Sequence, residues 1–124
     1  MFKSTIAKNA ACNSIIEMLD TTGTYSSGRL GLYTADSTLV AKLPLSNPAF
    51  LSSVDGTAVA RPISDATALI TGTVSYFEMQ DGSDTMVWGG SVTVPTGTGD
   101  LKMNTISITK DTTVSVSSAT YIVP

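Results

Sequence analysis

From Arg29 onward the chain is a succession of short runs in which apolar and polar residues alternate, cut by turn-forming residues at roughly 8–12-residue intervals. That period is set by the pleat of a strand, on which neighbouring side chains point to opposite faces. Arg29–Thr34 is the first such run, and Ala35–Thr38 supplies its turn. Leu39, Ala41, Leu43 and Leu45 form one face of the next, with Pro44 marking an edge or the end of pairing. Asn47 and Pro48 sit in a loop anchored by Phe50, and Asp55-Gly56 signals a tight turn before Thr57–Arg61. The clearest hairpin is expected from Ala68 to Val94. In it Ile70, Gly72, Val74 and Tyr76 share one face, Phe77 takes the other, and Asp81–Asp84 makes the turn. On the return Met86, Trp88, Gly90, Val92 and Val94 lie together, with Gly72 or Gly90 leaving room for the Trp88 ring. Strands around Leu101–Ile108 and Thr113–Val123 complete the pattern.

One helix precedes this. Ser4 or Thr5 can cap it, Ile6, Ala10, Ala11, Ile15, Met18 and Leu19 recur at three- and four-residue spacing, and Gly23 follows its end. Lys8, Asn9, Asn13, Glu17 and Asp20 are expected on the opposite face. The reading is therefore a mainly β protein, an antiparallel β-sandwich of jelly-roll-like form with one N-terminal α-helix. Residues 1–124 form a single domain, with a helical segment over 1–22 and the sandwich over 28–124.

Composition narrows function by exclusion. The sequence contains no histidine and a single cysteine, Cys12. Ser-His-Asp and Cys-His nucleophile systems, histidine zinc sites and all-thiolate metal sites are thereby ruled out, and Cys12 reads as a buried helix residue. Most of the aspartates stand beside Gly, Ser or Thr, where the carboxylate accepts backbone hydrogen bonds in turns. Asp81 and Asp84 do not have the spacing of a calcium-binding loop. No catalytic, cofactor or metal residues are assigned, and no enzyme is expected. The seven cations are scattered rather than clustered, which argues against direct nucleic-acid binding, and no apolar run is long enough for a membrane span. Charged residues are only 14% of the chain, against roughly 25% in typical soluble domains. A Thr/Ser-rich exterior with so few charges suits a surface that packs against other subunits.

Several segments, taken in order, resemble a family of small virion structural proteins from tailed bacteriophages and prophages. They are Gly31–Thr34, Leu43–Phe50, Thr71–Phe77 with Gly82, Asp100–Ile108 and Val114–Val116. Glu78-Met79 departs from the pattern, since relatives more often have a basic residue there. The resemblance implies a virion component, in a family whose members often have no assigned role. The first-choice reading is a capsid decoration (cement) protein in the virion, assembled in the bacterial host cytoplasm. Its partner would be the major capsid protein or another virion protein, and it would form a homo-oligomer, with a trimer favoured. A tail, baseplate or fibre role is the alternative within virions, and a carbohydrate-binding module is the competing class. Candidate assembly contacts are Phe2, Lys3 and Ile6, the loop residues Pro48 and Phe50, and Tyr121, Ile122 and Val123.

Overall fold

The helix opens at Ser4, whose Oγ accepts the Ala7 N–H at 3.1 Å. In this computed structural model, which describes residues 4–97, 100–116 and 119–122, helix α1 spans Thr5–Glu17 and runs into a single 3-10 turn over Met18–Asp20. The buried helical residues are Cys12, Ile16 and Leu19, whereas Ile6 and Met18 are exposed. This rotates the helix away from the purely apolar stripe expected from its sequence. The reason is polar. Asn13 Oδ1 accepts Ser53 N–H at 2.9 Å, and Asn9 Oδ1 accepts Gly56 N–H at 2.9 Å. Asp20 Oδ1 accepts Ala49 N–H at 2.9 Å. Buried backbone donors in the 49–56 loop need acceptors, and leaving one unmet costs about 1–3 kcal/mol. The inward face thus mixes Asn9, Cys12, Asn13, Ile16, Leu19 and Asp20, which also recur every three or four residues.

Eleven short strands follow among the described residues. They are β1 (Arg29–Tyr33), β2 (Leu39–Pro44), β3 (Thr57–Val59), β4 (Ala66–Thr67), β5 (Gly72–Thr73) and β6 (Tyr76–Gln80). The rest are β7 (Met86–Thr93), β8 (Leu101–Lys102), β9 (Ser107–Ile108), β10 (Thr113–Val114) and β11 (Thr120–Ile122). Five of them make one sheet in the order β2-β1-β6-β7-β8, antiparallel throughout except for the parallel β7–β8 pair. The others form three two-stranded ladders, β3–β11, β4–β10 and β5–β9. The molecule is mainly β with one N-terminal helix, and the stacking is that of a β-sandwich; these pairings do not trace the finer jelly-roll connectivity.

The long strand expected from Ala68 to Met79 is broken into β5 and β6. Val74 and Phe77 are both buried although three residues apart, so the alternation slips by one at Ser75. Ser75 bridges the slip by donating its N–H to Tyr33 O at 2.8 Å and accepting the Val92 N–H at 3.0 Å. Phe77 and Met79 then point inward, opposite Gly90 and Trp88. Gly90 is required here: a Cβ on it would lie 3.0 Å from the Phe77 ring and 2.6 Å from the Asp100 carboxylate. The inner face of the sheet is completed by Leu30, Leu32, Ala41 and Leu43, all fully buried in one cluster with Val74 and Val114. On the outer face the Tyr33 ring lies across Gly31 and stacks on Tyr76 at 5.1 Å.

Turns follow the aspartate expectation closely. Asp55, Asp84 and Asp111 each have positive φ, a conformation that aspartate tolerates better than most residues. Asp36 accepts hydrogen bonds from the hydroxyls of Thr34 and Thr38 in the β1–β2 turn, and these bonds hold its carboxyl below the usual aspartate value. Leu32 sits at the crossing of β2, β1 and β6, paired with Ala41 on one side and Phe77 on the other. Leu32→Ala is expected to destabilise the fold by about 2–5 kcal/mol, read as a lower urea midpoint at unchanged m-value.

Candidate assembly surface

The helix packs on β3 and β11, so the two ends of the described chain meet on one side of the molecule. Ile122 pairs with Thr57 across the β3–β11 ladder, and Val54 bridges to the same Thr57. The Asn9–Gly56 bond ties the first turns of the helix beside that bridge. Around this junction of helix, loop and ladder, Ile6 (83%), Val54 (70%) and Ile122 (66%) all stand exposed. Isolated exposed apolar residues are ordinary; several on one side of a small domain mark an interaction surface.

The sequence-predicted contacts separate on this frame. Phe2, Lys3 and Val123 lie outside the described residues. Ile6 and Ile122 belong to the exposed side just described, and Pro48 is also exposed, following a cis Asn47–Pro48 peptide bond. Phe50 is different: it is 6% exposed, with its ring 5.6 Å from that of Trp88 in an edge-to-face arrangement. It supports the surface from within instead of forming it. Tyr121 is half-buried and leans on Trp88 at 4.6 Å with the ring planes 46° apart. Burial pushes the Tyr121 hydroxyl pKa up, and the nearby Cys12 adds to the shift.

Trp88 and Tyr121, with Phe77, Gly89, Asp100, Thr120 and Ile122, line an open groove of about 280 Å³ between β7 and β11. Asp100 closes one end: its Oδ2 accepts the Ser91 N–H at 3.2 Å, and its own N–H is donated to Ser91 Oγ at 3.3 Å. Sequence reasoning gave the Trp88 ring room beside Gly72 or Gly90 but did not place Asp100 beside it. The signal available was the Gly89-Gly90 pair after the only tryptophan, which leaves space on the strand where a carboxylate from the next loop can approach.

On the outer sheet face, Asp84 Oδ1 receives both Arg29, at 2.6 Å, and Lys42, at 3.0 Å, and the Arg29 guanidinium sits 3.6 Å from the Tyr25 ring centroid. Asp81 spends its Oδ1 on the N–H groups of Ser83 and Thr85. The 81–84 turn is thus held by its own backbone and by two cations. Among the described residues no group of three or more Cys, Asp or Glu side chains converges as a metal site, and no helix is long and apolar enough to cross a membrane.

Comparison with protein-family models, with characterised proteins and with solved structures gives no match. The functional reading therefore rests on the residues themselves.

The Asp84 cluster makes a pH prediction. The hydrogen bond from Arg29 and the charges of Arg29 and Lys42 hold the Asp84 carboxyl below its ordinary value of 3.8. A depressed folded-state pKa contributes stability that is present above the unfolded value and is lost as pH falls through the folded one. Asp84→Asn is expected to lower stability at neutral pH and to flatten its decline below about pH 4, measured by thermal unfolding across an acid series. The pair is partly solvent-exposed, so the effect will be small and reduced by salt.

Proposed function

We propose that this chain is a non-catalytic structural domain of a tailed-phage virion, with capsid decoration as its first role. The observation that carries the reading is the side on which Ile6, Val54 and Ile122 are exposed together, on a molecule with only 14% charged residues. A domain that remained alone in solution would more usually carry charge there. The domain would seat this side on the major capsid protein or another virion protein, as a trimer or other cyclic oligomer, and bridge neighbouring lattice subunits. Many copies of a modest contact then stabilise a shell that no single contact would hold. The order of segments from Gly31 to Val116 that resembles phage virion proteins supports the same assignment. A tail or baseplate position uses the same contact chemistry at far fewer copies.

A carbohydrate-binding role is the second reading, favoured by one observation. The groove beside Trp88 and Tyr121 combines aromatic rings with the Asp100 carboxylate and the Thr120 hydroxyl. Against it, the two rings lean on each other and do not present a flat row to a sugar.

Quantitative mass spectrometry of purified particles tests the first reading. Decoration predicts copies on the order of hundreds per particle, as a repeating lattice demands. A handful of copies moves the chain to the tail, and its absence from particles overturns the virion reading.

A further inference from the structure

β2 ends the five-stranded sheet on one side, and on the other the two-residue β8 leaves most of the outer edge of β7 without a neighbouring strand. The chain treats the two differently. Along β2, Val40 O accepts the Leu69 N–H at 2.8 Å and Pro44 O accepts the Ser64 N–H at 2.9 Å. The residue between them, Lys42, carries a charge. Covering and charging an edge are the usual ways of keeping it from pairing with another chain.

β7 has neither. The Val92 N–H bonds to Ser75 O on the β6 side, and the pairs Phe77–Gly90 and Met79–Trp88 continue that register. Antiparallel alternation then turns the backbone groups of Gly90 and Trp88 toward β6, and those of Ser91 and Gly89 away from it. The Ser91 N–H is taken by Asp100. The Gly89 N–H and C=O meet no partner among the described residues, and β8 reaches only Val92 and Thr93. Thr85–Ser91 contains no charge and no proline, and Met86 beside it is exposed.

We infer that this edge is a strand-addition site whose occupant is β7 of a second copy, paired antiparallel about a two-fold axis at Gly89. An outward N–H and C=O on one residue are what a hydrogen-bonded antiparallel pair requires, and a two-fold axis supplies the same two groups from the partner. The neutral edge meets its own copy without like charges facing each other. Gly89 cannot be enlarged, because a Cβ would come within 2.6 Å of Phe77 O. The ladder is short. The register slip between Met79 and Gln80 leaves Val87 out of pairing at one end, and the Asp100–Ser91 bond stops it at the other. The groove beside Gly89, with Trp88, Tyr121 and Ile122, provides the side-chain contact that so short a ladder needs. This deepens the assembly reading by naming one partner, and it does not depend on where in a particle the protein sits.

Sedimentation velocity over a concentration series, combined with residue-resolved amide exchange, tests it. A dimer is expected as concentration rises, with Gly89 amide exchange slowed by about tenfold or more in step with dimer formation. The Gly90 and Trp88 amides, already bonded to β6, change little. Met86→Lys charges the edge of both copies and is expected to weaken the dimer by about tenfold or more while leaving the circular dichroism unchanged. A dimer in which Gly89 exchanges as fast as in the monomer overturns the inference, as does a chain that stays monomeric throughout. Neither result bears on presence in the virion, which copy number decides.

Discussion

Strand β1 is the member on which the rest of the molecule depends. It pairs with β2 through one edge and β6 through the other, so five residues join segments that begin near Leu39 and Tyr76. Its alternation divides the work of the sheet. Leu30 and Leu32 point inward and are fully buried between Leu43 and Ala41 on one flank and Met79 and Phe77 on the other. Arg29, Gly31 and Tyr33 point outward, and each organises that face. Arg29 binds Asp84, Gly31 gives room to the Tyr33 ring, and the Tyr33 hydroxyl accepts the Gln80 Nε2–H at 2.8 Å. That bond lets Gln80 stay almost wholly buried on the outer side of the sheet. A shift of β1 by one residue would expose both leucines and bury Arg29, so the register is fixed by the core and by the ion pair together.

How much of this was legible in the sequence depended on whether one physical signal acted alone. Class and element type were readable, because period-two alternation and Asp/Gly turns dominate after Arg29 and both are local effects. The aspartates at positive φ are where turn chemistry placed them. The helix face was not readable from hydrophobicity, since Asn9, Asn13 and Asp20 turn inward to satisfy loop amides that are distant in sequence. The slip at Ser75 was hidden for a related reason. Its backbone is held by Tyr33 and Ser75's later partner Val92, and neither local propensity nor periodicity reports such long-range bonds. Among the candidate contacts, Ile6 and Ile122 are exposed, having little core to enter near the ends of α1 and β11. Phe50 read both as the apolar anchor of its loop and as a candidate contact, and the structure seats its ring in the core against Trp88.

The assembly reading joins two neighbouring features of the surface, which share Ile122. One is an apolar side where the helix meets β3 and β11; the other is the stretch of β7 around Gly89, before β8 and Asp100 cover the strand. In the proposed role, one seat for a lattice and another for a second copy would give the domain the valence to bridge subunits. Low charge fits both surfaces, because each would lose its solvation on binding and a buried unpaired charge is expensive.

The most direct test of this account is a cryo-electron microscopy map of particles that contain the chain, read at the side formed by α1, β3 and β11. The account predicts that Ile6, Val54 and Ile122 lie against a neighbouring subunit and are excluded from solvent. A map in which the domain is bound through another surface, with these three side chains facing solvent, would contradict it.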